Sequence, residues 1–335
     1  MNIIKSLAPE GFKSFVRLNG KKWRKRKLIR SERHKVEITK KRLLEEHIEI
    51  LEKYRCSTTA NEITGDYVIW VMWWQGEEEM PPIIKMNYES LKLNANGHKI
   101  NLITNENYLN FVELPDYIIS KFERNIINLT HLSDIIRVAL LSKFGGLWLD
   151  ATIYVTSPLP EEMNVYYWST KWVLKSNEKN SYPLWRALWR ISGVPKLTIT
   201  QCMGVWFSQK NNVIFDCLKD FWFAYWKNEV DTPYYWITEV FLIGIMYGEI
   251  PAVKSMIDDV TINNPQVFKM RNRINQDYNE QILRELTQDT QFFYLSWKEK
   301  YHEISPETKN KTLYGFLKDK DVDLKVTIAN IIDEN

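Results

Sequence analysis

The run THLSDIIRVALLSKFGGLWLDATIYV, residues 130–155, constrains this chain more than any other stretch. Leu132, Ile135, Ile136, Ala139 and Leu140 recur at i, i+3, i+4, i+7 and i+8, which predicts a helix from about Thr130 to Phe144 with one buried stripe. Gly145 and Gly146 follow where a left-handed C-cap is needed. An apolar strand begins at once, and Leu147, Trp148 and Leu149 lead straight into Asp150. A helix that turns on two glycines into a buried strand is the joint of a layered α/β protein. The carboxylate is the anomaly in it. Burying it ionised is costly unless a cation, a metal or hydrogen bonds compensate it. Ligands of open α/β sheets gather outside the carboxyl ends of the strands, and Asp150 is expected to face one there. Asp134 and Arg137, three apart on another face of the helix, are within side-chain reach of each other. That spacing fits an ordinary helical ion pair and a site shared with Asp150 equally well.

The alternation of strand and helix continues on both sides. YVIWVMWW is a continuous apolar run of strand length, as in a strand covered on both faces. EEEMPPIIKMNYESLKLN has prolines at a helix start and acids before it, where the helix dipole favours them. A turn at Asn96-Gly97, a second strand in HKINLIT and a helix in DYIISKFERN complete the pattern of a parallel sheet with helices on its faces. Further on, QCMGVWFS reads as a strand. NNVIFDCLKDFWFAYW reads as a helix with Ile214, Cys217, Leu218, Phe221 and Trp222 on its apolar side. YYWITEVFLIGIMYG reads as a mostly buried helix carrying one acid, Glu239, and two terminal helices are expected near 307–318 and 322–332.

With 335 residues, 44% of them hydrophobic, the chain can bury a sizeable core, and most of its 14 Trp belong there. Cys56, Cys202 and Cys217 form no CxxC pair, which argues against a disulfide scaffold or a zinc site and fits a reducing compartment. No apolar run reaches 18 residues and the first twenty residues lack the apolar core of a signal peptide, so a cytoplasmic location is expected. The net charge of +3 conceals a lopsided distribution: residues 21–35, KKWRKRKLIRSERHK, hold nine Lys or Arg against Glu32, a local +8 that leaves −5 on the rest. Such a block attracts a polyanion. Phe12, Phe15, Val16, Trp23, Leu28 and Ile29 are interleaved as interfacial anchors, which favours an anionic membrane surface contacted by residues 12–35. Nucleic acid is the second choice of polyanion, and a solvated charged arm is the alternative to both; no motif for specific nucleic-acid reading is present. In the following ITKKRLLEEHIEILEKY, Leu44, His47, Ile48 and Leu51 sit at helical spacing. The chain therefore divides into a basic amphipathic helical extension, 1–60, and a main domain, 61–335.

VIWVMWWQG, the 130–155 run and FFYLSWK, in this order, resemble bacterial capsular polysaccharide synthesis glycosyltransferases, relatives of glycosyltransferase family 32 and, more remotely, of the glucosylating clostridial toxins. The resemblance runs from about Val68 to Lys298 and leaves out the arm before residue 60. It implies a GT-A fold, a Rossmann-like nucleotide-binding sheet with helices on both faces. It also implies transfer of a sugar, with retention, from a nucleotide-sugar (a UDP-sugar) to a lipid-linked or oligosaccharide acceptor. Carried over, Trp70 would stack on the donor base. Asp134 would hydrogen-bond sugar hydroxyls and Arg137 would lie near the sugar and diphosphate. Asp150 takes the first place of the DxD motif, and Ser296, Trp297 and Lys298 match the motif that closes over the diphosphate. Thr152 stands where the second motif Asp usually binds a divalent cation (Mn²⁺ or Mg²⁺), leaving Asp150, Thr152 and Ser296 as the metal set and metal dependence open. Glu239 keeps a carboxylate, where relatives often have Asp, to orient the acceptor or stabilise an oxocarbenium-like transition state. The rival readings are a toxin-like protein glycosyltransferase and a non-catalytic carbohydrate or polyanion binder. For the enzyme, an attachment to the inner face of the cell membrane is expected.

Overall fold

The computed structural model describes residues 27–58 (apart from 29 and 32), 63–173, 199–229 and 237–319, with backbone only for 173, 199–203 and 239. Its strands are β1 (Ile69–Met72), β2 (Ile100–Ile103), β3 (Gly146–Asp150), β4 (Ile153–Val155), β5 (Tyr167–Val173), β6 (Ile199–Ser208) and β7 (Phe292–Tyr294). Five form a sheet in the order β2-β1-β3-β6-β5, and β4 pairs with β7 separately. β1, β2 and β3 are parallel, while β6 runs antiparallel to both β3 and β5. The fold is thus mixed α/β. The expected parallel sheet holds for three strands only, because β3 leads into the short β4 rather than into a crossover helix. From β1 the chain first moves outward to β2 and then returns to β3 on the other side of β1. The order reverses between β1 and β3, and such a switch point opens a crevice at the carboxyl ends.

The helices that concern the site are α1 (Ile48–Arg55), α2 (Pro82–Asn94), α3 (Asp116–Glu123), α4 (Leu129–Lys143), α5 (Val213–Asn228), α6 (Ile237–Phe241) and α7 (Pro251–Asp259). Side chains alternate across the sheet and feed two cores. Trp70, Met72, Trp148 and Trp206 join the core beneath α4 and α5, whereas Ile69, Val71, Leu147 and Leu149 join the one beneath α2. Asn side chains cap the two helices of the first core, Asn128 accepting from the His131 amide and Asn212 from the Ile214 amide. Pro82 starts α2, as the sequence implies. Gly145 and Gly146 both have positive φ, 68° and 96°, and a Cβ on Gly146 would lie 2.5 Å from the Val68 carbonyl oxygen. Only glycine can make that corner.

Two expectations change. Residues 33–46 and α1 are helical, but their apolar face is not free: Val36, Leu43 and Leu51 are fully buried in the first core. Ile48, expected on the buried stripe, is 37% exposed. The helix is rotated because His47 packs edge-on against Phe221, centroids 5.2 Å apart, and burial there pushes its imidazole pKa down to about 4. Lys53 and Tyr54 reach Asp220 at 2.6 and 2.8 Å, so polar contacts flank the same face. Residues 36–51 thus pack on the main domain through Val36, Leu43 and Leu51. The expected single helix 234–248 is likewise interrupted: α6 gives way to a π-turn at Leu242–Met246. Residues 313–319 are helical, and the second terminal helix lies outside the described residues, as does most of the basic block.

Candidate active site

The carboxyl ends of the parallel strands coincide: Met72 of β1 is in register with Ile103 of β2 on one side and with Asp150 of β3 on the other. Asp150 thus stands at the switch point, where its side chain is 26% exposed. The opening anomaly resolves there. The carboxylate ends a buried strand and looks out of it, accepting a 2.8 Å hydrogen bond from Trp148 Nε1. Arg137 lies behind it, with one guanidinium nitrogen 3.8 Å from Asp150 Oδ1 and the other 2.5 Å from Asp134 Oδ1. α4 and β3, joined by the glycine corner, bring all three charges together. The helical ion pair exists, and it abuts Asp150.

The surroundings sharpen the charges. Asp134 and Arg137 are each 6% exposed. The Arg137 guanidinium lies 5.3 Å from the Trp148 ring and 5.6 Å from that of Trp206, within cation–π range. His131, one turn before Asp134, has Nδ1 3.9 Å from Asp134 Oδ2 and sits about 6 Å from the rings of Trp222 and Trp226. Burial pushes the Asp134 carboxyl up to about 6; Arg137 opposes that rise and Asp150 adds to it. Two carboxylates sharing one guanidinium in an aromatic enclosure hold one net negative charge. That is a demanding arrangement to keep for packing alone.

The late motif is brought to the same place. β7 pairs with β4, and the Leu295 amide then donates to the Thr152 carbonyl at 2.8 Å, which sets Ser296 beside the Asp150–Thr152 turn. Tyr301 fixes Ser296 from both sides, its hydroxyl accepting from the Ser296 amide and donating to the Ser296 carbonyl. Trp297 is 49% exposed, with the Lys298 ammonium 5.5 Å from its ring. Asp134, Arg137, Asp150, Thr152 and Ser296 thus belong to one neighbourhood. The side chain of Glu239 lies outside the described residues; its backbone is in α6.

Trp70 is corrected by the structure. It is the second residue of β1, not its end, and is 3% exposed in the core. Its indole nitrogen donates to the Gly145 carbonyl at 2.8 Å and its ring packs on Phe111 and Phe144, which leaves no face for a nucleotide base. The residue at the crevice is Trp73, the first beyond the last ladder pair. It is half-buried, and its ring meets that of Trp297 edge-on at 6.4 Å. The run YVIWVMWW is apolar throughout, and nothing in it marks Met72 as the last paired residue.

A divalent cation finds few ligands in the protein alone. Among the described residues no cluster of three or more His, Cys, Asp or Glu could hold one. Asp150 is the one carboxylate at the turn, Arg137 stands close to it, and the Thr152 hydroxyl is buried from solvent with no hydrogen-bond partner. Such a set suits a cation shared with a phosphate-bearing ligand and not one bound by protein atoms.

The molecule is thus an α/β protein whose mixed sheet gathers two carboxylates and an arginine at its switch point. The chain belongs to the capsular polysaccharide synthesis protein family, whose model matches residues 20–316. The match starts well before the region in which the sequence resemblance was expected and includes the N-terminal helix packed on the core. None of the curated proteins matches the chain in sequence. Among solved structures it is similar to the PaToxG glycosyltransferase, with 14% identity over 76% of this chain and 95% of that one, at a TM-score of 0.36.

Proposed function

We propose that this chain is a GT-A glycosyltransferase that moves a sugar from a nucleotide-sugar, a UDP-sugar in our reading, to a glycan acceptor in capsular polysaccharide synthesis. The observation that carries the proposal is the Asp134–Arg137–Asp150 cluster at the switch-point crevice, with Ser296–Lys298 closing beside it, in a chain of the capsule-synthesis family. In transfer, the bond between the anomeric carbon and the diphosphate oxygen breaks and the diphosphate keeps its electrons. The acceptor hydroxyl forms the new bond and gives up its proton. Charge grows on the leaving diphosphate, and preorganised cations in a poorly solvated site are the strongest means of stabilising it. Arg137, held in place by Asp134 and backed by Trp148 and Trp206, and the exposed Lys298 supply that charge. A divalent cation shared between Asp150, with Thr152 and Ser296 beside it, and the diphosphate would add Lewis-acid stabilisation of the same oxygens.

Trp73, with Trp297 across from it, replaces Trp70 as the base-stacking residue in this reading. Asp134, ionised above about pH 6, holds sugar hydroxyls and faces the positive charge that develops on a retained anomeric centre. Glu239 keeps the role of acceptor-orienting carboxylate. The basic residues of 12–35 draw the enzyme to an anionic membrane at the cytoplasmic face. Leu28 is 49% exposed there, and no helix among the described residues is long and apolar enough to cross a bilayer.

The test is hydrolysis of a panel of nucleotide-sugars by the purified protein with Mn²⁺ and no acceptor. Turnover of one or a few UDP-sugars, lost in Arg137→Ala, is expected. Binding without any hydrolysis, unchanged by that substitution, would make the protein a carbohydrate binder. For the membrane partner, co-sedimentation with anionic vesicles at low salt should be lost on deleting residues 1–35, and equal binding by both forms would remove that partner.

A further inference from the structure

The helix α2 carries polar side chains where a core-facing helix is expected to be apolar. Asn87, Ser90 and Asn94 lie on one face at i, i+3 and i+7. Asn87 and Ser90 are each 1% exposed. All three are spent on the segment that follows Asp150. Asn87 Nδ2 donates to the Ala151 carbonyl at 3.1 Å. The Val155 amide donates to Ser90 Oγ at 3.1 Å, and Asn94 Nδ2 donates to the Val155 carbonyl at 3.2 Å. Ser90 Oγ in turn donates to the Asn87 carbonyl at 2.7 Å. The turn from Asp150 to Val155 is therefore fastened to one helix at both ends.

The two ends differ. At Val155 the bonds complete a backbone amide and carbonyl at the end of β4, which is ordinary satisfaction of buried groups. At Ala151 the accounting is incomplete. Asn87 Oδ1 is buried with no hydrogen-bond partner, and so is the hydroxyl of Thr152, the next residue along. A buried acceptor left unpaired carries its desolvation penalty. Leucine has the same branched shape, but it is larger and would leave the Ala151 carbonyl without its donor. Asparagine thus serves through its amide alone, and the group it bonds is the peptide between Asp150 and Thr152.

We propose that Asn87 is a positioning residue for the site: through the Ala151 carbonyl it fixes the turn that aims the Asp150 carboxylate and holds Thr152. The inference rests on the glycosyltransferase reading for what the turn binds. Asn87 touches no reacting group and acts only through the backbone. α2 follows Trp73 and Trp74, just beyond β1, after a single 3₁₀ turn, Glu77–Glu79. It therefore ties the aromatic side of the crevice to the carboxylate side.

The experiment compares Asn87→Leu with Ser90→Ala. Thermal unfolding of each is measured beside the affinity for UDP with Mn²⁺ by calorimetry and the kcat and KM for nucleotide-sugar hydrolysis. Asn87→Leu is expected to unfold earlier by no more than Ser90→Ala does, yet to lose tenfold or more in UDP–Mn²⁺ affinity and in kcat/KM. Ser90→Ala is expected to unfold earlier while its affinity and kcat/KM stay within about twofold. A third variant, Asn87→Asp, keeps the shape but loses the amide donor and should lose affinity as Asn87→Leu does. Should Asn87→Leu bind UDP–Mn²⁺ like wild type, or lose stability and affinity together to the extent that Ser90→Ala does, Asn87 is a packing residue. Wild type that binds neither UDP nor a UDP-sugar would overturn the glycosyltransferase reading itself, and this positioning role with it; that outcome is read on wild type alone and is distinct from the other two.

Discussion

Charge is buried in two ways in this protein, and the contrast separates architecture from site. Lys121 of α3 and Lys171 of β5 are buried ammonium groups, and each ends on the carboxyl terminus of a helix. Lys121 donates to the carbonyls of Trp226 and Glu229, at the end of α5. Lys171 donates to those of Ile257 and Val260, at the end of α7. Each lysine completes carbonyls that the helix leaves open, at the negative end of its dipole, so both partners gain. Asp134, Arg137 and Asp150 are arranged otherwise. Two carboxylates crowd one guanidinium, the Asp134 carboxyl is pushed up to about 6, and Asp150 is partly open to solvent. The lysines finish the fold where they stand. The acidic cluster holds a surplus of negative charge at a crevice, a stability cost of the kind found at functional sites.

The largest effect expected from this contrast is on turnover. Arg137→Ala should lower kcat by about 10²–10³-fold, the scale seen when one preorganised charge-stabilising group is removed. Its unfolding temperature should fall by only a few degrees, because Asp134 can take up a proton once its partner is gone. Early unfolding with full activity in the remaining folded protein would make the pair structural. Lys171→Met should do the reverse. It leaves two helix-end carbonyls without their donor, at a cost of roughly 1–3 kcal/mol by chemical denaturation, with kcat/KM unchanged. An activity loss larger than the stability loss would erase the distinction between the two kinds of charge.

The aromatic run extends the comparison from charge to rings. Trp73→Ala should weaken nucleotide binding by about 1–3 kcal/mol, the range of base–aromatic stacking. Trp70→Ala should instead destabilise the fold by about 3–5 kcal/mol and leave the affinity of the folded protein alone. Calorimetry with the free nucleotide diphosphate, beside urea unfolding, reads both. Reversed outcomes would restore Trp70 to the crevice.

The pH dependence of Asp134 is the smallest effect. Its folded pKa, about 6, lies above the ordinary carboxylate value of 3.8. The folded state therefore binds the proton more tightly, and stability from this group is present below pH 4 and lost as pH rises through 6. Asp134→Asn is neutral throughout. Its unfolding temperature relative to wild type should rise between pH 4 and 6 and level off above. A difference that is flat or falls over that range would show that Arg137 fully compensates the buried charge.

Much of the site was legible because the local chemistry is exclusive. Only a glycine pair makes the corner between α4 and β3, and a carboxylate at the end of an apolar strand has few structural uses, so Asp134, Arg137 and Asp150 stand together as expected. Trp70 was misplaced because VIWVMWW is apolar throughout, and nothing inside it marks where hydrogen-bonded pairing stops. The N-terminal stripe shifted from Ile48 to Leu43 because His47 can be buried neutral against Phe221, a pairing between residues 174 positions apart. The antiparallel β6 and the fastening of the Asp150 turn by α2 are tertiary facts with no local signature. Asn87 in particular reads in sequence as one polar residue on a helix.

The most direct measurement is a titration of UDP, in Mn²⁺ and in chelator, on wild type, Asp150→Asn and Thr152→Asp. With one carboxylate at the turn, the cation should bind wild type poorly alone and well together with UDP. Asp150→Asn should keep the fold and lose both metal-dependent UDP binding and transfer. Thr152→Asp should bind Mn²⁺ more tightly even without UDP. If wild type and Asp150→Asn bind UDP equally in Mn²⁺ and in chelator, and both turn over a nucleotide-sugar, then Asp150 only ends a strand and the crevice is not the active site.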